Sequence, residues 1–289
     1  MSKPDIAALR RHYADRMTAP VGPEAAAIRA AFARVPREDF LGPPPWELLG
    51  GGFAPAETSD VAELYQDVLV VLSAAKGINN GSPSLHAHML HLLGTLPGEH
   101  VLHVGAGGGY YTAVLAELVG ASGRVTAVEF DAALAAQARA NLRAWPQVTV
   151  HLGDGAAYPT EDVQRIYVSF GLARPADAWL DHLAFGGVLL VPLGAPHPEQ
   201  TGARRHATDR AALLRVARTA TGYAARFHTA VSFVFAAGPT AGDAVLRTAL
   251  WRAFGRGGLD RVHSLHRTML PEGVSWVRSE GFSLGFAPP

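Results

Sequence analysis

The sequence predicts an α/β protein with a mostly parallel β-sheet covered by helices on both faces, and three observations support this. Short apolar runs alternate with helical patterns between residues 100 and 193. The first run contains Val101, Leu102 and Val104, which is typical of a strand buried on both faces. Glycines follow it directly, and a second β-rich run ends in Glu129. Such alternation forms βαβ units, whose strands are parallel.

The N-terminal region, residues 1–97, is predicted to be mainly helical. Apolar side chains at helical spacing and clusters of Gly and Pro mark the elements there. In chain order we expect helices at 6–17 and 24–35, an irregular stretch at 41–55, a strand at 68–72, a loop at 77–84 and a helix at 85–93.

Residues 98–238 are predicted to form the α/β core, and residues 239–289 a small C-terminal extension. The expected core strands are 101–104, 124–128, 148–152, 165–170 and 188–193, with two more at 213–219 and 229–235. The expected core helices are 110–119, 132–142 and 177–183, and the extension is expected to contain a helix at 244–254 and a hairpin at 274–286.

The glycine turn indicates a nucleotide-type cofactor. Gly105, Gly107 and Gly109 form a G-x-G-x-G pattern, whereas the dinucleotide fingerprint G-x-G-x-x-G fails because its sixth position is Tyr110. Glu129 closes the next strand, where a carboxylate can accept hydrogen bonds from two ribose hydroxyls. Because it lies at a strand end, we expect its loss to weaken cofactor binding with little effect on stability.

Composition excludes several classes of protein. The formal net charge is zero, which argues against a nucleic-acid or membrane-surface partner. The chain has no cysteine, so disulfides and thiolate metal sites are excluded. Histidines crowd residues 86–91, but helical geometry points His86 and His88 apart, so we predict no metal site. The first residues lack an apolar signal core, and a cytoplasmic location is expected.

Six short motifs resemble those of the protein-L-isoaspartate O-methyltransferases. Over residues 1–235 they are VPREDF at 35–40, LYQD at 64–67, Gly81-Ser82-Pro83, the glycine turn at 101–111, Gly153-Asp154-Gly155 and the segment 183–194. The resemblance implies a Rossmann-like fold of seven mostly parallel strands, S-adenosyl-L-methionine as cofactor, and methyl transfer to a carboxylate of a peptide, a protein or a peptide-like small molecule.

The resemblance also implies site residues. Ser82 is the candidate catalytic residue, and its alternative role is to cap the following helix. Asp154 is expected to bind the adenine amine. The implied cofactor-binding set is Gly81, Ser82, His103, Gly105, Ala106, Gly107, Gly109, Glu129, Phe130, Asp154 and Gly155. The sequence does not indicate an oligomeric state.

Two departures from the family pattern leave alternatives open. The family's active-site Ser falls on Gly81, and the acid before the glycine turn is His103. We expect the missing side chain at Gly81 to leave extra room, and we predict weak or absent activity on generic isoaspartyl peptides and activity on a more specific carboxylate acceptor. The extension, with Trp251, His263, His266 and Trp276, either covers the acceptor opening or packs on a sheet edge. A non-catalytic cofactor-binding or scaffold protein is the second hypothesis, and a nicotinamide dehydrogenase a distant third.

Overall fold

The chain divides into two compact units, residues 1–153 and 154–289. The computed structural model describes residues 5–50, 53–198, 207–236 and 239–289. Each unit combines helices with a β-sheet, which agrees with the predicted α/β class. The predicted division into 1–97, 98–238 and 239–289 differs from these units and stays a prediction, and its boundary at 238 lies outside the described residues.

Among the described residues of the first unit, four α-helices precede the parallel strands. They are α1 (Ile6–Thr18), α2 (Ala26–Arg34), α3 (Val61–Leu64) and α4 (Pro83–Leu93). Side-chain oxygens of Asp5, Asp60 and Ser82 accept backbone N–H groups at the starts of α1, α3 and α4, which is why these helices begin there. Helix α1 packs on α2 and α4, so the predicted helical region is confirmed for these elements.

A small antiparallel sheet has two strands that begin within the stretch 41–55, which was expected to be irregular. Its strands are β1 (Trp46–Gly50), β2 (Phe53–Thr58), β3 (Leu69–Ser73) and β4 (Ile78–Asn79), in the order β2-β1-β3-β4. The prediction holds for residues 41–45 and is wrong for the two strands, because the prolines at 43–45 precede β1 and do not interrupt it; residues 51–52 lie outside the described residues. Leu41, Trp46, Leu64 and Val70 form a buried cluster beneath this sheet.

The parallel part of the first unit positions the glycine turn. Strands β5 (His100–Val104), β6 (Arg124–Glu129) and β7 (Val148–Leu152) are parallel neighbours, and α5 (Tyr110–Val119) and α6 (Ala132–Asn141) pack against them. Every residue of β5 is buried, as its apolar run predicts. The carboxyl ends of β5, β6 and β7 therefore meet at one edge, where their last residues and the turns after them lie together.

The second unit contains two parallel strands followed by antiparallel ones. Its strands are β8 (Val163–Val168), β9 (Leu183–Ala195), β10 (Arg210–Arg218), β11 (Tyr223–Ala230), β12 (Ser264–His266), β13 (Ser275–Ser279) and β14 (Phe282–Gly285). Strands β8 and β9 are parallel, and the order continues β9-β10-β11-β12-β14-β13 through antiparallel pairs. The strand expected at 229–235 is wrong, since β11 ends at Ala230.

The C-terminal extension continues this sheet beyond β11 and raises the strand count above the predicted seven. Helix α8 (Ala244–Arg256) packs on β9, β10 and β13, whereas the short α7 (Asp177–Asp181) lies before β9. The rings of Phe227, Phe254 and Trp276 lie 5.1–5.8 Å apart and form an aromatic core. The extension thus packs at a sheet edge, and its other considered role, covering the acceptor opening, stays a prediction. Among the described residues, no helix is long and apolar enough to cross a bilayer.

Candidate functional site

The glycine turn forms the floor of the candidate site in the first unit. Gly105, Gly107 and Gly109 have φ angles of 81°, 56° and 95°, in the left-handed region that favours glycine. Gly105 and Gly107 are partly exposed, whereas Ala106 and Gly109 are buried. The turn therefore presents partly exposed backbone at the carboxyl end of β5, with the Leu72 side chain near Gly107.

Glu129 is joined to the turn by a hydrogen bond. Its Oε2 accepts the N–H of Gly107 at 2.7 Å, and its Oε1 accepts the N–H of Asp131 at 2.9 Å. The side chain is 7% exposed, and burial raises its pKa, while the backbone N–H groups of Asp131 and Gly107 act in the opposite direction. An ionised carboxylate accepts about four hydrogen bonds, and the backbone N–H groups of Asp131, Gly107 and Phe130 act on this one, so capacity for a sugar hydroxyl remains.

Two apolar side chains are exposed beside Glu129. Phe130 follows it and is 71% exposed, and Leu152, the register partner of Glu129 on β7, is 46% exposed. A flat aromatic base could pack against such surfaces, because burial of apolar area is favourable. Leu152 was missed by the sequence reasoning, although its place at the end of β7 was the signal that could have found it.

Asp154 and Gly155 belong to the second unit. The Oδ1 of Asp154 accepts the N–H of Ala156 at 2.9 Å and caps a short 3₁₀ turn at Gly155–Ala157. The indole N–H of Trp179 donates to the carbonyl of Gly155 at 2.9 Å. Their predicted contact with adenine stays a prediction.

The VPREDF segment holds the loop between α3 and β3 in place. Arg37 is fully buried, and its guanidinium donates to the carbonyls of Leu64, Gln66 and Val68. Those bonds fix the backbone on both sides of Asp67. The motif therefore has a structural role that the sequence alone did not assign to any of its residues.

Ser82 lies at the start of α4 and is tied to Asp67. Its hydroxyl donates to Asp67 Oδ1 at 2.8 Å and accepts the N–H of Leu85 at 3.4 Å. The second carboxylate oxygen of Asp67 accepts the hydroxyl of Ser84. The alternative considered for Ser82, a helix cap, is thus present, and its catalytic role stays a prediction.

The space beside Gly81 is filled by His86. A Cβ placed on Gly81, whose φ is +73°, would lie 2.3 Å from His86 Nε2. The imidazole is stacked on the Tyr111 ring, with centroids 3.7 Å apart and planes at 7°, and it is 2% exposed. Burial is the main cause that lowers its pKa to about 3, so the ring is neutral near pH 7. The expectation of extra room at Gly81 is therefore wrong, because a helical side chain occupies it.

His103 lies inside the unit, behind the glycine turn. It is 1% exposed, and its Nδ1 lies 2.8 Å from the Thr112 hydroxyl of α5. Burial lowers its pKa to about 3. In this conformation His103 offers almost no surface to a ligand, and its predicted contact with the cofactor stays a prediction.

Comparisons with known proteins give a consistent result. Residues 51–223 match the family model described as protein-L-isoaspartate(D-aspartate) O-methyltransferase. The chain is 31% identical over 211 residues to a protein-L-isoaspartate O-methyltransferase of Ignicoccus hospitalis, covering 72% of this chain and 87% of that one. It is 35% identical over 178 residues to one of Methanopyrus kandleri, covering 60% and 71%.

Solved structures show the same fold. One protein-L-isoaspartate O-methyltransferase matches with a TM-score of 0.65 and 22% identity, covering 80% of this chain and 67% of that one. A second structure, described as a beta-aspartate methyltransferase from Plasmodium falciparum in complex with S-adenosyl-L-homocysteine, matches with a TM-score of 0.58 and 16% identity, covering 78% and 97%. The predicted Rossmann-like class is thereby confirmed. The expected mostly parallel character is not, because the strand pairs from β9 to β14 are antiparallel and outnumber the parallel pairs among the described residues.

Proposed function

Because the chain belongs to the protein-L-isoaspartate(D-aspartate) O-methyltransferase family, we propose that it transfers a methyl group from S-adenosyl-L-methionine to a carboxylate of an isoaspartyl-type residue in a protein or peptide. A small-molecule acceptor, which the sequence left open, has no support from the relatives and is not carried forward. The non-catalytic alternative is not favoured either, since the relatives are named as enzymes.

The residues of the first unit fit this cofactor. The bond between Glu129 and Gly107 is the observation that carries the assignment, because it places a carboxylate with free acceptor capacity beside an exposed backbone turn. Phe130 and Leu152 add apolar surface next to that carboxylate. Glu129 would accept hydrogen bonds from the ribose hydroxyls of the cofactor, and Phe130 and Leu152 would contact its base. Gly105 and Gly107 would face the remaining part of the cofactor.

When bound, the cofactor supplies an activated methyl group on a positively charged sulfur. A carboxylate acceptor is ionised at neutral pH, since ordinary carboxyl pKa values lie near 4, and no general base is required. The protein's contribution is then positioning of the two reactants and exclusion of water around the acceptor oxygen.

Ser82 remains the candidate side chain for contact with the acceptor. In the observed conformation its hydroxyl proton is directed to Asp67, so a bond to an acceptor oxygen requires the hydroxyl to rotate away. Arg37 donates hydrogen bonds to the carbonyls of Gln66 and Val68, the two neighbours of Asp67, and so keeps Asp67 in place. Arg37 thereby acts indirectly on whether the Ser82 hydroxyl bonds Asp67 or the acceptor. We therefore assign Ser82 a substrate contact and Arg37 and Asp67 positioning roles.

Calorimetry with S-adenosyl-L-homocysteine, followed by methyl transfer to an isoaspartyl peptide, tests the proposal. We expect binding with a dissociation constant in the micromolar range, at about −8 kcal/mol, for a ligand of this size. Mass spectrometry should then show a methyl ester on the isoaspartyl peptide and none on the same peptide with aspartate. Absence of binding at millimolar ligand would refute the proposal.

A further inference from the structure

One segment of the small sheet reaches across the candidate cofactor site. We define residues 69–79, which comprise β3, the turn 74–77 and β4, as the arm. Its base is well anchored: the N–H of Val70 donates to Asn80 Oδ1 at 2.8 Å, and Val70 is part of the buried cluster with Leu41, Trp46 and Leu64. The arm therefore has a small core at its base, against which Leu72 also packs.

The arm contacts the site at two points. Leu72 Cδ1 lies 3.3 Å from the position that a Cβ on Gly107 would occupy, so its methyl group covers the turn. Farther along, the Lys76 ammonium forms an ion pair with Asp131 Oδ2. Asp131 is itself bonded through its N–H to Glu129. The Leu72 contact thus lies over the glycine turn, and the Lys76 contact lies beside the Glu129 carboxylate.

The tip of the arm has little other support. Residues 74–77 are exposed, and no atom lies within 4 Å of the Cβ position of Gly77. The Lys76 side chain is 61% exposed, whereas the Asp131 side chain is 10% exposed and also caps α6. An ion pair with one partner in water changes equilibria by only a few-fold, so this contact can hold the tip and still open readily.

We propose that the arm is a lid over the cofactor site and that Lys76 is the positioning residue that holds it closed through Asp131. This inference rests on the proposed function, since it concerns the same cofactor. If the lid closes equally over the free and the occupied site, the ion pair raises the activation barriers for cofactor binding and for cofactor release by the same amount. Its loss then increases both rates and leaves the affinity almost unchanged.

Stopped-flow binding of S-adenosyl-L-homocysteine to the full chain tests this. The chain has no cysteine, so Ala75→Cys, in the exposed tip beside Lys76, gives a single site for an environment-sensitive fluorophore. Labelled Lys76→Met removes the charge and keeps the length, and labelled Lys76→Arg keeps the charge. The matched control is Arg278→Ala, which removes an exposed ion pair to Glu272 (3.0 Å) in the second unit.

We expect Lys76→Met to raise the association and dissociation rate constants by roughly two- to fivefold each, with Kd within about twofold of wild type. Lys76→Arg and the Arg278→Ala control should keep wild-type rates. An increase in the dissociation rate constant alone would mean that Lys76 contacts the ligand directly. Unchanged rate constants would mean that the ion pair does not keep the arm closed. Either result would refute the proposed lid. If the wild-type chain binds no ligand, the proposed function itself fails, which is a separate outcome.

Discussion

Substitution of Gly81 by serine tests whether His86 occupies the space that a side chain at position 81 would need. The backbone there has a φ of +73°, and a left-handed residue with a side chain costs about 1–2 kcal/mol. The added Cβ would also lie 2.3 Å from His86 Nε2, and the ring cannot shift freely because it is stacked on Tyr111. We expect Gly81→Ser to lower the free energy of unfolding by about 2–4 kcal/mol, seen as a melting temperature roughly 5–10 °C lower by circular dichroism.

A matched control separates strain from collision. Gly77 has a φ of +64° with no atom within 4 Å of its Cβ position, so Gly77→Ser carries only the backbone cost of about 1–2 kcal/mol. In a double-mutant cycle, His86→Ala should remove the steric part of the Gly81→Ser effect and give a coupling energy of about 1–2 kcal/mol. If Gly81→Ser costs no more than Gly77→Ser, the reasoning about His86 is refuted.

Three further predictions concern the cofactor residues and the buried histidines. Glu129→Gln should weaken S-adenosyl-L-homocysteine binding about 10- to 100-fold by calorimetry and also lower the melting temperature, since the Gly107 N–H loses a charged acceptor; an unchanged Kd would remove Glu129 from the site. Leu152→Ser should weaken the same binding by about three- to tenfold and leave the melting temperature of the free protein unchanged, because the side chain is 46% exposed. Burial holds the pKa of His86 and His103 at about 3, below 6.5, so stability is complete above about pH 6.5 and falls as pH decreases, by about 1.4 kcal/mol per pH unit for each ring. Unfolding from pH 7 to 4 measures that slope, and His86→Phe should reduce it by about half; a flat profile would contradict the burial argument.

The strands next to the glycine turn could be predicted because their signals are local. The short run of valine and leucine locates β5 to within one residue, the Val148–Leu152 run locates β7 at its observed bounds, and the glycine spacing locates the turn. The strand expected at 68–72 is β3 of the small sheet, but β1 and β2 could not be predicted. Gly and Pro dominate the composition between residues 41 and 55, while the buried Trp46 and Val70 that stabilise the sheet are distant in sequence. Composition thus helps to predict single helices and strands, but it says little about which strands pair with one another.

The details of the site depend on contacts between distant residues. Glu129 was expected to be dispensable for stability, yet it accepts a hydrogen bond from Gly107, 22 positions earlier. The space at Gly81 was expected to be open, yet His86 on the next helix fills it. The ion pair of Lys76 with Asp131 spans 55 positions. In each case the residue type was visible in the sequence, while its partner was set by the fold.

The most direct test of the central assignment is methyl transfer from radiolabelled S-adenosyl-L-methionine to paired peptides that differ only in an isoaspartyl or aspartyl residue. Peptides of unrelated sequence test the separate prediction of weak activity on generic isoaspartyl acceptors. We predict a base-labile methyl ester on at least one isoaspartyl peptide and none on the matching aspartyl peptide. We also predict a higher KM for the cofactor in Glu129→Gln. A protein that binds S-adenosyl-L-homocysteine and yet forms no ester on any isoaspartyl peptide at saturating cofactor would contradict the central assignment.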